Sequence, residues 1–190
     1  PRQPIVHRIN SEVSGASASL RSRARYLAAN NPWLSQGVAN WTGALVGSGI
    51  VPTSKHSDAE IRSDLAAYWQ SFTDEADADG RTDFEGLQAE VVRGLVIDGE
   101  SFIQIISTDL GPRLRLIPPE LVDESLTREL GGGACIVQGV EFNADGTRVA
   151  YHVLPYRPHD QFANYAPPVR VSSDDILHVM KPLAAGQVRG

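Results

Sequence analysis

Apolar residues recur at helical spacing through the first half of the chain and at strand spacing through the second. Residues 1–14 are polar and poorly patterned, and are read as a flexible arm. An Ala/Arg/Leu-rich stretch from Ser17 to Ala29 predicts a first helix, broken by Asn30-Asn31-Pro32. Proline disfavours helical backbone in the residue before it and suits the first turn of a new helix, with Asn31 as its cap. A second helix is predicted from Pro32 to about Leu45, with Trp33, Leu34, Val38, Trp41 and Leu45 at helical spacing. Gly47-Ser48-Gly49 stops it, and Ile50-Val51-Pro52 is a short extended piece. Ile61, Leu65, Tyr68, Trp69 and Phe72 form one stripe of a third helix, Asp58 to Phe72. A fourth runs from Phe84 to Ile97, and Asp98-Gly99-Glu100 turns the chain into strands.

Beyond that corner, Ser101–Ser107 and Arg113–Ile117 read as strands joined through Asp109-Leu110-Gly111-Pro112. Pro118-Pro119-Glu120-Leu121 opens a short turn or helix, and Gly131-Gly132-Gly133 reads as flexible. Ile136–Phe142 and Arg148–Leu154 flank Asn143-Ala144-Asp145-Gly146, a hairpin signal. A Pro-rich loop (Pro155, Pro158, Pro167, Pro168) leads to a last strand near Ile176–Met180. The expected fold class is α+β, N-terminal helices followed by a mostly antiparallel sheet. The expected division is an arm at 1–14, a helical part at 15–98 and a β-rich part at 99–190.

Composition narrows this little. The 190 residues, 42% hydrophobic and 21% charged, allow a real core in one large domain or two small ones. A net charge of −6 argues against generic nucleic-acid binding. The charge is uneven: the first thirty residues carry Arg2, Arg8, Arg21, Arg23 and Arg25 against Glu12, whereas residues 58–100 hold twelve acids against three arginines. These regions can meet across a contact or remain two solvated faces. A lone cysteine, Cys135, excludes an internal disulfide and any multi-cysteine metal site. The longest apolar run, Val38 to Val51, is about fourteen residues and interrupted, too short to span a bilayer. The chain starts with Pro and stops at Arg189-Gly190 without a closing element, so a fragment of a longer protein is expected.

The acidic turn imitates a calcium-binding loop. With Glu75 as first position, Asp77, Asp79, Gly80 and Asp83 fall at the third, fifth, sixth and ninth places. The twelfth, where a bidentate Glu should close the loop, is Gly86, and Glu85 is one residue early, about 100° away on a helix. The alternative is a solvated turn whose Asp83 or Thr82 caps the next helix. Cys135 with His152, His159 or His178 could be imagined as a nucleophile pair, but no nucleophile motif surrounds the thiol. His56 with Asp58, or His159 with Asp160, would need further metal ligands that the sequence does not identify. Gly47-Ser48-Gly49 lacks the Gly-Lys-Ser/Thr of a phosphate loop, so nucleotide hydrolysis is unsupported, and no cofactor is expected.

Taken in order, the landmarks resemble the lambda-type portal proteins of tailed bacteriophages. Asn31-Pro32 with Gly47 and Gly49 is similar to the family's early helix and its glycine exit. Trp69, then Asp79-Gly80, Phe84 and Gln88, is similar to the next block. Asp98-Gly99-Glu100 with Phe102 resembles the helix-to-strand corner, and Pro119-Glu120 the proline–glutamate step. Tyr151-His152, His178 and the closing Gln187-Val188-Arg189-Gly190 complete the order, over roughly Arg23 to Gly190. The resemblance implies a structural, non-enzymatic subunit of a ring, commonly a dodecamer, at one capsid vertex. DNA passes through such a ring without sequence-specific binding during packaging and ejection; terminase, capsid protein and a head–tail adaptor dock on it, and no membrane is involved. It implies a virion component, made in the host cytoplasm from a phage or prophage gene, and it places this segment in the outer, wing-like portion. A calcium-responsive helix–loop–helix module is the alternative reading, and a hydrolase of unknown type the third.

Overall fold

The computed structural model describes residues 8–155 and 166–190. Four helices come first: α1 (Ile9–Asn30), α2 (Pro32–Val46), α3 (Ala59–Asp74) and α4 (Phe84–Asp98). Their ends are set by local chemistry. The Asn31 side chain accepts the N–H groups of Trp33 and Leu34, with Pro32 in the first turn, so α1 and α2 meet at a sharp corner. Asp58 caps α3 through the N–H of Glu60, and Asp83 caps α4 through that of Gly86. Gly99, at φ 87°, ends α4 in the left-handed conformation that glycine adopts without strain.

The first helix begins at Ile9, not near Ser17, so residues 9–14 of the expected arm are helical turns. Long-range bonds replace the missing apolar pattern there. Asn10 donates to the Gly186 carbonyl at 2.9 Å and accepts from the Val188 N–H at 2.9 Å, and its own carbonyl accepts from Gln138 at 2.7 Å.

After the Gly99 corner, β1 (Glu100–Thr108) and β2 (Gly111–Ile117) form an antiparallel hairpin, and β8 (Ile176–Met180) pairs with the other edge of β1. The second sheet is a five-stranded meander: β3 (Arg128–Gly131), β4 (Ala134–Val137), β5 (Val140–Phe142), β6 (Arg148–Val153) and β7 (Val169–Ser172). Four helices before two antiparallel sheets make the fold α+β.

The strand readings change: β3 and β7 come where no strand was expected, and one expected strand is divided. The apolar run Ile136–Phe142 is two strands, not one, because Gln138 (φ 50°) and Gly139 (φ 79°) form a two-residue turn inside it. A Cβ at position 139 would lie 2.8 Å from the Asp123 carbonyl oxygen, so glycine is required there. Gly131-Gly132-Gly133 makes the turn between β3 and β4, with all three at positive φ. Phe102, Ile117, Val122, Val140, Tyr151, Ile176 and Val188 form the main core, fed by both sheets and by the last residues of the chain. A smaller aromatic group, Trp69, Phe72 and Phe84, joins the end of α3 to the start of α4 with ring centroids 5.2–5.6 Å apart.

Candidate functional site

The helix-to-strand corner carries a buried charge cluster. Glu100 and Arg189, each with a side chain 1% exposed, form an ion pair at 2.7 Å. Arg189 Nε also donates to both Glu100 oxygens, at 2.9 and 3.1 Å. Its remaining N–H groups reach the carbonyls of Val122, Gln138 and Pro119 at 3.1, 2.8 and 2.8 Å, and its guanidinium lies over the Phe102 ring. Such a planar fork can satisfy several acceptors at once where a lysine could not. The N–H of Gly190 donates to Glu100 at 2.8 Å. Burial pushes the Glu100 carboxyl up, but hydrogen bonds from His178, Arg189 and Gly190 outweigh it and bring it down to about 2.

His178, on β8, stacks on Phe102 at 4.1 Å and places Nε2 3.0 Å from Glu100. Burial lowers its pKa despite the carboxylate, so the ring is neutral at pH 7. With Nε2–H donating to Glu100, Nδ1 is left a buried acceptor with no partner among the described residues. Tyr151 closes the group edge-on to both Phe102 and His178, and burial raises its hydroxyl pKa. His152 belongs elsewhere: its Nε2 lies 2.8 Å from Glu141, which Arg170 also holds, and these hydrogen bonds lower the Glu141 pKa, Arg170 foremost.

A second ionic group fastens α1 to this corner. Arg25 makes two hydrogen bonds to Asp98 (2.7 and 3.0 Å) and two to Glu120 (both 2.9 Å), which raises its pKa. Arg21 donates to Glu124 at 2.6 Å, and Ser17 shares that carboxylate. Two of the N-terminal arginines therefore meet carboxylates of their own chain.

The acidic turn is zipped to the free edge of β2. Leu114 exchanges backbone hydrogen bonds with Ala76 and Ala78, Glu75 pairs with Arg113, and Asp79 pairs with Arg115 at 3.0 Å. The buried Asp77 carboxylate accepts the N–H groups of Asp79, Arg81 and Thr82. Burial opposes ionisation of Asp77, but these bonds prevail and its pKa is lowered. Asp83 is spent on the α4 cap. Each of the four calcium-loop carboxylates thus already has a cation or backbone donor. Among the described residues no three His, Cys, Asp or Glu side chains stand together as a metal site.

Cys135 is half-exposed on β4. Strand alternation puts it on the face of Val137, Val140 and Tyr151, and His152 on the opposite face, so the sheet does not bring these two together. His56 accepts the Asp58 N–H within the loop before α3. His159 and Asp160 lie outside the described residues. Among the other motif positions, Gln88 on α4 accepts the Ile50 N–H beside Gly49, and Gly80 forms the tight turn after Asp77. An open cleft of about 440 Å³ beside Arg25, Arg81, Arg93, Asp79, Glu90 and Asp98 mixes both signs of charge, which favours neither an anion nor a cation.

The helical layer leaves much apolar surface uncovered. Trp33 is 88% and Trp41 61% exposed, with Leu20, Tyr26, Leu27, Leu34, Leu45, Ile61, Leu65 and Tyr68 also exposed. A monomer exposes single apolar residues freely, so the number exposed on these helices is the notable feature. No described helix is long and apolar enough to cross a membrane.

A family model described as phage portal protein, lambda family, matches residues 2–190. No curated protein matches the sequence. Among solved structures, the fold is similar to a chain in the neck of an empty GTA particle computed with C6 symmetry, at a TM-score of 0.51 and 14% identity. The likeness covers 96% of this chain but 40% of that one.

Proposed function

The chain belongs to the lambda family of phage portal proteins, and from that premise we propose that it is the outer, wing-like part of a portal ring subunit. The ring, a dodecamer in the complete protein, sits at one capsid vertex. Double-stranded DNA passes through it during packaging and ejection, and terminase, capsid protein and a head–tail adaptor dock on it. Its place is the virion, with assembly in the host cytoplasm from a phage or prophage gene.

The observation that carries this reading is the match over residues 2–190, which takes in every helix and strand of the fold. The physical character agrees. The charged clusters hold elements together, and their carboxylates and cations are paired with one another. That is the chemistry of a scaffold, so no catalytic residue is proposed. A chain of net charge −6 also does not trap a polyanion that must slide past it.

Native mass spectrometry and negative-stain imaging of the full-length protein test the proposal. Closed rings with a central channel are expected. Monomers at every concentration and salt would overturn it.

A further inference from the structure

We propose that α3 of one copy docks on the α1–α2 corner of the next, as a head-to-tail contact of the ring. The inference rests on the portal reading above. On α3, Ile61 and Leu65 share one face at i, i+4 spacing, and both are exposed. Only the C-terminal end of that stripe is covered, by the Trp69–Phe72–Phe84 group, and α3 contains no fully buried residue. Alongside the stripe run Glu60 and Asp64, neither of whose carboxylates has a partner among the described residues.

The corner offers the complement. Leu20 and Leu27 lie on one face of α1 with Arg23 between them, and Trp33 follows just past the Asn31 cap; all four are exposed. Arg21 and Arg25 are consumed by Glu124, Asp98 and Glu120, whereas Arg23 has no partner among the described residues. One chain thus presents two separate uncovered apolar surfaces, one with an acidic margin and one with a basic margin. A second copy, placed heterologously, covers both at once and repeats until the ring closes. Opposed charges beside the apolar strip fix which surfaces meet and reject like with like.

The test uses charge reversal in the full-length protein, with ring formation followed by native mass spectrometry. Arg23→Glu alone, or Glu60→Lys with Asp64→Lys, is expected to raise the protein concentration needed for rings about tenfold or more. Combining all three reversals is expected to restore it. In a Cys135→Ser background, Leu27→Cys with Leu65→Cys is expected to give covalent oligomers with a bifunctional maleimide, which reads the contact even if a charge variant folds poorly. Rings that form equally well in every variant, or cysteines that never join subunits, would overturn the contact while leaving the ring intact. Wild-type protein that never forms rings would overturn the portal reading, and the contact with it.

Discussion

Arg189 ties together segments far apart in the chain, because it bonds at once to Glu100 on β1, to the turn between β4 and β5 and to the Pro119–Val122 segment. Truncating one partner of a buried ion pair leaves the other charge unpaired and costs about 3–5 kcal/mol. Arg189→Ala is therefore expected to lower the melting temperature by roughly 10 °C, with Arg189→Lys in between, since an ammonium retains the charge but not the planar fork. Differential scanning fluorimetry at pH 7.5 reads both. The same cluster makes the protein acid-labile. Glu100 has a folded pKa of about 2 against an ordinary 4.5, so its contribution is full above pH 4.5 and is lost as pH falls toward 2. His178 has its folded pKa below 6.5, so the unfolded chain takes up its proton first and stability begins to fall as pH drops below that value. Melting curves from pH 8 to 3 should show two successive losses, and His178→Asn should flatten the upper one. Glu100 and His178 were legible in the sequence as positions of a recurring motif at a helix stop and in a strand. Their partner Arg189 was visible only as part of a closing tetrapeptide. Nothing local in Gln-Val-Arg-Gly signals burial, because its acceptors lie 51 to 89 residues away.

At the scale of elements, the acidic turn shows how one loop can carry the composition of a metal site and serve as a joint. Asp77 gathers three backbone N–H groups in a buried position, so Asp77→Ala should cost about 2–4 kcal/mol in urea denaturation by stranding those donors. Asp79→Ala removes a partly exposed ion pair with Arg115 and should cost under about 1 kcal/mol. Millimolar calcium should leave the melting temperature of either variant and of the wild type unchanged. A calcium-dependent rise would restore the regulatory reading. Helix ends were readable here because Asn31, Asp58, Asp83 and Gly99 act through bonds to near neighbours. The start of α1 and the split of Ile136–Phe142 were not. Asn10 is held from Gln138, Gly186 and Val188, and the Gln138-Gly139 turn interrupts an apolar run that continues on either side of it. Tertiary contact decided both.

For the whole molecule, stability is distributed unevenly, and the distribution matches the proposed assembly. The core links the two sheets, and α4 lies against β1 at its margin, whereas α3 is attached chiefly through its last turn to α4 and the acidic turn. Its N-terminal half has solvent-exposed backbone turns with little apolar cover, the conditions under which a segment opens without global unfolding. Hydrogen exchange on the dissociated subunit should therefore find residues 59–68 poorly protected while β1, β6 and β8 exchange last. Closing the ring changes that ranking if α3 is clasped by the next subunit's α1–α2 corner. Its protection should then rise by an order of magnitude or more, together with that of residues 20–34, because each face of one contact shields the other. A ring in which residues 20–34 gain protection but α3 remains open would place a different element on the corner. Equal exchange of both regions in rings and subunits would place the intersubunit contact on another surface altogether.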